Sequence, residues 1–172
     1  GLLMASLKST VAALVHEGYG GSELIQKVNH LLMGDGHHRT MITLAVVEID
    51  LEEDRLTLAN AGHCPALLVG PEGPPDELAV SSLPIGSRLC RPASVDHPFP
   101  IGHRLVLYSD GLVEALSPAG EQYGYDRLEG TVAGAENRSG EGLTAEILES
   151  LAAHVDEVAL ADDLTILIVE RN

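Results

Sequence analysis

Tryptophan is absent, phenylalanine occurs once and tyrosine four times in 172 residues. The core is therefore built from leucine, isoleucine, valine and alanine, through many small contacts rather than a few aromatic anchors. Positive charge is also scarce: ten Lys and Arg against 26 Asp and Glu leave a formal charge of −16. That balance argues against phosphate backbones and anionic lipid as partners, so neither nucleic acid nor a membrane surface fits. It would also repel a phosphoryl substrate unless a cation intervened, and bound metal is one answer. Only Cys64 and Cys90 carry thiols, in different settings and without a CxxC partner or zinc-spaced histidine, which suits reduced thiols in the cytoplasm. There is no basic-then-apolar leader, and no apolar run approaches the roughly 18 residues of a membrane span. What is present, 45% hydrophobic residues over this length, suffices for one domain with a sizeable core.

The apolar positions Leu7, Val11, Leu14 and Val15 recur at helical spacing until Gly18, Gly20 and Gly21 break the pattern. Ser22 is placed to cap a second helix with the stripe Leu24, Ile25, Val28, Leu31 and Leu32, ending at Gly34-Asp35-Gly36. The pair His37-His38 reads as solvated loop. Thr40 to Ile49, rich in β-branched residues, and the alternating Arg55 to Asn60 flank a polar Glu52-Glu53-Asp54 turn, which predicts an antiparallel hairpin. Short strands are expected at Ala66 to Val69, near Ser94 to His97, at Arg104 to Tyr108 and at Leu164 to Val169. Gly70 to Pro75 reads as a loop, with a short helix at Leu112 to Leu116 and a longer one from Thr144 to Val155. The segment Gly130 to Gly142 is polar and Gly-rich. Helices gathered around hairpin-linked strands indicate an α+β architecture.

Two acidic positions stand at strand ends: Asp110 after an apolar strand, and Asp162-Asp163 before another. If those strands are antiparallel neighbours, the carboxylates converge, and oxygen-only donors favour Mg²⁺ or Mn²⁺ over zinc. Taken singly, Asp110-Gly111 is equally a hairpin turn and Asp162-Asp163 a solvated turn. His63, between Gly62 and Cys64-Pro65, is a ligand, an acid/base group or a structural turn histidine. Glu114 reads as an exposed helix residue.

The motifs in order decide between these readings. Ala61-Gly62-His63-Cys64-Pro65, Leu83-Pro84-Ile85-Gly86, Leu105 through Ala115 with Ser109-Asp110-Gly111 at its centre, Tyr123-Gly124 and Asp162-Asp163-Leu164-Thr165 together resemble the stage II sporulation protein E-like phosphatases. These belong to the PPM class and are similar to protein phosphatase 2C. The resemblance covers essentially all of residues 1–172, read as a single partial PPM-type domain. It implies an antiparallel β-sandwich flanked by α-helices, with two Mn²⁺ or Mg²⁺ ions in the complete domain. Asp110 matches the metal-binding Asp of the family's Asp-Gly motif and Asp162 the first residue of its Asp-Asp or Asp-Asn motif, with Asp163 the weaker ligand candidate. Ser109 and Gly111 form the metal-adjacent loop; Gly62 and His63 carry over as a structural loop feature. No side chain is implied as a nucleophile, since water held at the metals attacks phosphorus.

The resemblance also implies an absence. The family's Gly-Asp-x-x-Gly-x-Gly segment would lie before Gly1, so the fold is expected to be N-terminally incomplete, with partial or no metal occupancy and reduced or no activity. An exposed edge or apolar face then favours a homodimer. Gly102-His103-Arg104 stands where the family commonly has Gly-Asp-Arg. The implied function is a metal-dependent phosphoserine/phosphothreonine protein phosphatase acting on an anti-sigma-factor antagonist in a partner-switching pathway. The alternative is a non-catalytic phosphatase-fold module that binds partner proteins.

Overall fold

The computed structural model describes residues 2–34 and 40–172. His37 and His38, and the helix end placed at Asp35-Gly36, lie outside the described residues. The chain divides into two compact units, Gly1–His63 with Val80–Phe99 and Cys64–Ala79 with Pro100–Asn172.

The first unit opens with α1 (Leu2–His16) and α2 (Gly21–Gly34), followed by the hairpin β1 (Leu44–Asp50) and β2 (Arg55–Ala61); β5 (Ser94–Pro98) completes it. The hairpin is antiparallel as expected, its register running from Asp50 opposite Arg55 to Leu44 opposite Ala61, and β5 pairs antiparallel with β2 on its other side. Its turn is closed by Asp50, whose Oδ1 accepts the N–H groups of Glu52 and Glu53 at 3.0 Å each. Leu7, Leu14, Leu24, Ile25, Val28 and Leu32 bury the stripes of both helices with Ala59, Ala61 and Ile85. Ser22 proves to lie inside α2 rather than at its cap. The helix begins one residue earlier, and the Ser22 N–H donates to Ser94 Oγ of β5 at 2.9 Å. The satisfying oxygen comes from the sheet, so no local pattern announces it.

The second unit holds β3 (Ala66–Val69), β4 (Asp76–Leu78), β6 (Arg104–Tyr108), α3 (Asp110–Val113), α4 (Tyr125–Gly134), α5 (Gly140–Val155) and β7 (Ile166–Glu170). Its strands run in the order β4-β3-β6-β7, all antiparallel. Every residue of β3 is buried, as its unbroken apolar run requires. Leu112, Leu128, Val132, Leu143, Ile147 and Leu151 from the three helices join Leu67, Val106 and Tyr108 in one core. Helix α4, not expected from the sequence, runs into the polar, Gly-rich segment, and only Leu128 and Val132, four residues apart, are buried on it. Helix α5 starts four residues before the predicted Thr144, because Ser139 Oγ accepts the Gly142 N–H at 3.0 Å. Arg104 bonds Glu170 across β6 and β7, while Glu170 Oε2 accepts the Gly140 N–H at 3.1 Å, tying the sheet to the start of α5. Among the described residues no helix is long and apolar enough to cross a membrane.

Candidate metal centre

Strands β6 and β7 are antiparallel neighbours, with Tyr108 opposite Ile166. The end of one therefore lies beside the start of the other, and the turns that carry the two acidic positions lie side by side there. Beyond Tyr108 the pairing continues through one residue that is no longer strand: the Ser109 N–H donates to the Thr165 carbonyl at 3.0 Å. The Ser109 hydroxyl takes the next two places in the ladder. It accepts the Thr165 N–H at 3.0 Å and donates to the Asp163 carbonyl at 3.1 Å. Ser109 itself is extended, with φ −79° and ψ 160°, and the chain turns directly into α3 after it. Asp110-Gly111 is thus the first turn of a short helix, not a hairpin turn.

Gly111 is required at this crossing. A methyl group placed on it would lie 2.6 Å from the Asp163 carbonyl oxygen and 3.2 Å from its carbon, both backbone atoms. The two loops are therefore in backbone contact. Asp110 and Asp162 use the same local device: Asp110 Oδ1 accepts the Gly111 N–H at 3.0 Å, and Asp162 Oδ1 accepts the Asp163 N–H at 2.7 Å. One oxygen of each carboxylate is oriented by its own backbone and the second is left for another partner. Asp110, Asp162 and Asp163 are all exposed.

Two neighbours not singled out from sequence feel this acidic end. The Cys64 thiol is pushed up first by burial, and the charges of Asp110 and Glu114 push it further. Tyr125, whose hydroxyl points to Cys64 Sγ at 4.0 Å, is pushed up to about 12, first by burial and then by Cys64, Glu114 and Asp110. Cys64 lies within the Ala61 to Pro65 motif, and Tyr125 directly follows Tyr123-Gly124. Their side chains lacked any spacing signal toward Asp110, since sequence separations of 46 and 15 residues are closed only by tertiary folding.

Gly62 and His63 belong to the other unit. Buried Asn60 holds that loop in both directions, accepting the His63 N–H at 2.8 Å and donating to the His63 carbonyl at 2.9 Å. Gly62 has φ +72°, and a methyl group there would meet Pro84 Cγ at 2.5 Å. The Gly62-His63 and Leu83-Pro84-Ile85-Gly86 motifs are therefore one packed feature. Glu114 is exposed and closes α3, its N–H donating to the Asp110 carbonyl at 2.9 Å.

Among the described residues no group of three or more His, Cys, Asp or Glu converges as a metal cage. What meets is backbone, the Gly111 turn against the Asp163 carbonyl, and the carboxylates these turns carry are oxygen donors of the kind a hard divalent cation takes with water completing its shell.

The stage II sporulation protein E (SpoIIE) family matches residues 1–172. The chain belongs to this family. Protein IcfG of Synechocystis sp. is 30% identical over 131 residues, covering 76% of this chain and 20% of that protein. The SiaA-PP2C domain of Pseudomonas aeruginosa superposes with a TM-score of 0.81 at 19% identity, over 98% of this chain and 67% of that one. A manganese-presoaked phosphatase domain of the cell fate determinant SpoIIE from Bacillus subtilis gives 0.65 at 16% identity, over 96% and 73%. The α+β fold expected from the sequence is thus the PP2C phosphatase fold, and the chain is a SpoIIE-type PPM phosphatase domain by family and fold. It spans about a fifth of the length of the curated relative it matches.

Proposed function

We propose that residues 1–172 make up one partial phosphatase domain that removes phosphate from phosphoserine or phosphothreonine of a protein, with Mn²⁺ or Mg²⁺ as cofactor. The observation that carries the reading is the contact between the Asp110 and Asp162 turns, fixed by β6–β7 pairing and by Gly111 lying against the Asp163 carbonyl. Asp110 and Asp162 would hold the cation through carboxylate oxygens. When bound, it supplies positive charge against the phosphoryl oxygens and acidifies water for in-line attack. Such charge is needed in a chain of net charge −16, where a phosphate dianion is otherwise repelled. Burial raises both the Cys64 thiol and the Tyr125 phenol, so neither is activated as a nucleophile in the metal-free chain, which fits attack by water rather than by a side chain. Membership of the family supports an anti-sigma-factor antagonist as the phosphoprotein and a partner-switching pathway as the setting.

A second reading, a phosphatase-fold module that docks partners without turnover, is favoured by one observation: no third carboxylate, histidine or cysteine completes the metal cage among the described residues. Mn²⁺-dependent phosphate release from a phosphoserine protein separates the two. It is measured for this chain and for any longer natural protein containing it, each with and without Asp110→Asn. Release that Asp110→Asn reduces by about a hundredfold or more supports the phosphatase, since few direct protein ligands hold such an ion. No release from either form supports the binding module.

A further inference from the structure

We propose that Ser109 is a positioning residue whose hydroxyl sets the separation of the Asp110 and Asp162 carboxylates, and that Asp163 serves the site through its main-chain carbonyl rather than its carboxylate. The inference rests on the metal reading above and deepens it. Ser109 immediately precedes Asp110, and its backbone N–H is already committed to Thr165. Its Oγ is bonded in both directions to the opposite turn, accepting from the Thr165 N–H at 3.0 Å and donating to the Asp163 carbonyl at 3.1 Å. A hydroxyl is the only small side chain with one donor and further acceptor capacity on a single atom, which is what this two-way bridge uses. The bridge falls one residue from each proposed ligand turn: Asp110 follows Ser109, and Asp162 precedes Asp163.

The carbonyl of Asp163 is held from two sides, by the Ser109 hydroxyl and by the face of Gly111. Its N–H is taken by Asp162 Oδ1 at 2.7 Å, which orients the Asp162 carboxylate. Asp163 is therefore the rigid link between Ser109 and Asp162 by its backbone alone, and among the described residues its exposed carboxylate enters no ion pair. Ligands that must present oxygens at fixed spacing to one small cation gain affinity from such support, because the loops need not be ordered when the ion binds.

The test compares Ser109→Ala, Ser109→Thr, Asp163→Ala and Asp162→Ala with the unsubstituted chain, by calorimetric titration with Mn²⁺ alone, alongside circular dichroism and thermal unfolding. Ser109→Ala should stay folded yet bind Mn²⁺ about 10- to 100-fold more weakly, the usual loss when a support of a metal ligand is removed. Ser109→Thr, which restores the hydroxyl, should return close to the original affinity. Asp163→Ala keeps the carbonyl and should bind nearly as well as the unsubstituted chain, whereas Asp162→Ala should lose binding. Where turnover is measurable, Ser109→Ala should raise the Mn²⁺ concentration needed for half-maximal rate while leaving KM for the phosphoprotein unchanged. Equal Mn²⁺ affinity in Ser109→Ala and the unsubstituted chain would overturn the role of Ser109 while leaving the metal reading intact. Loss in Asp163→Ala as large as in Asp162→Ala would overturn the carbonyl assignment. The titrations are run on this chain and on any longer natural protein containing it, and no Mn²⁺ uptake by either unsubstituted form would sink the metal reading and this inference together.

Discussion

Replacing Gly111 by alanine tests the contact on which the proposed centre depends. The added methyl would stand 2.6 Å from the Asp163 carbonyl oxygen, where real side-chain contacts begin at 3.0 Å and are ordinary from 3.4 Å. The obstacle is backbone, so no rotamer change relieves it, and one turn must retreat from the other by roughly 0.4–0.8 Å. That retreat strains the 3.1 Å bond from the Ser109 hydroxyl to the same carbonyl. Overpacking of this kind costs about 1–3 kcal/mol, and the loss of one hydrogen bond adds about 1 kcal/mol. For a chain of this size the sum lowers Tm by about 5–15 °C. Thermal unfolding followed by circular dichroism reads the shift, and urea titration should show a lower midpoint with an unchanged slope, since the surface exposed on unfolding is the same. A Tm within about 2 °C of the parent would refute the close approach, because a shift that small corresponds to about 1 kcal/mol or less.

Asn60→Ala removes both partners of the His63 backbone from a buried position and should cost about 2–3 kcal/mol, read as a urea midpoint shift; an unchanged midpoint would show that water replaces both bonds. Ser94→Ala withdraws the acceptor of the Ser22 N–H and should cost about 0.5–1 kcal/mol, with faster amide exchange in the first turn of α2 as the local sign. Above pH 10 the chain should lose stability. Tyr108 and Tyr125 are both shifted upward, chiefly by burial and next by Cys64, so the folded state keeps phenol protons that the unfolded state releases near 10. That contribution is whole below pH 10 and disappears as pH rises through about 12 for Tyr125. Phenolate absorbance compared with Tyr108→Phe and Tyr125→Phe should show these two phenols ionising late, and ionisation of both near 10 would contradict it.

Elements whose identity rests on their own residues were legible in the sequence. Strands β3 and β6 match the predicted bounds because each is a short apolar run between turn residues, and the β1–β2 hairpin follows from alternation around a polar turn. Where tertiary contacts decide, the sequence was mute. Strand β4 is three residues, two of them exposed acids, and exists because β3 offers it a ladder. Helix α4 contains Gly130 and Gly134 and buries only Leu128 and Val132, so its glycines outweigh its stripe until α5 and the sheet cover that face. For the candidate centre, Asp110 and Asp162-Asp163 could be named from strand ends, and the β6–β7 pairing puts their turns in backbone contact, while among the described residues the three carboxylates form no group. The bridge through Ser109 and the nearness of Cys64 and Tyr125 could not, because each depends on atoms that only the folded backbone aligns.

The first turn of α2 is tied to a strand 72 residues further along the chain through Ser94. A helix normally nucleates from neighbours in sequence, and here the Gly20 carbonyl takes the Leu24 N–H locally, yet the Ser22 N–H acquires its oxygen only after β5 has docked on β2. Closing so long a loop is slow relative to local helix formation, so the start of α2 is completed late in folding. In the native state the same tie couples release of β5 to fraying of the start of α2, so the second helix of the chain depends on the last strand of its unit.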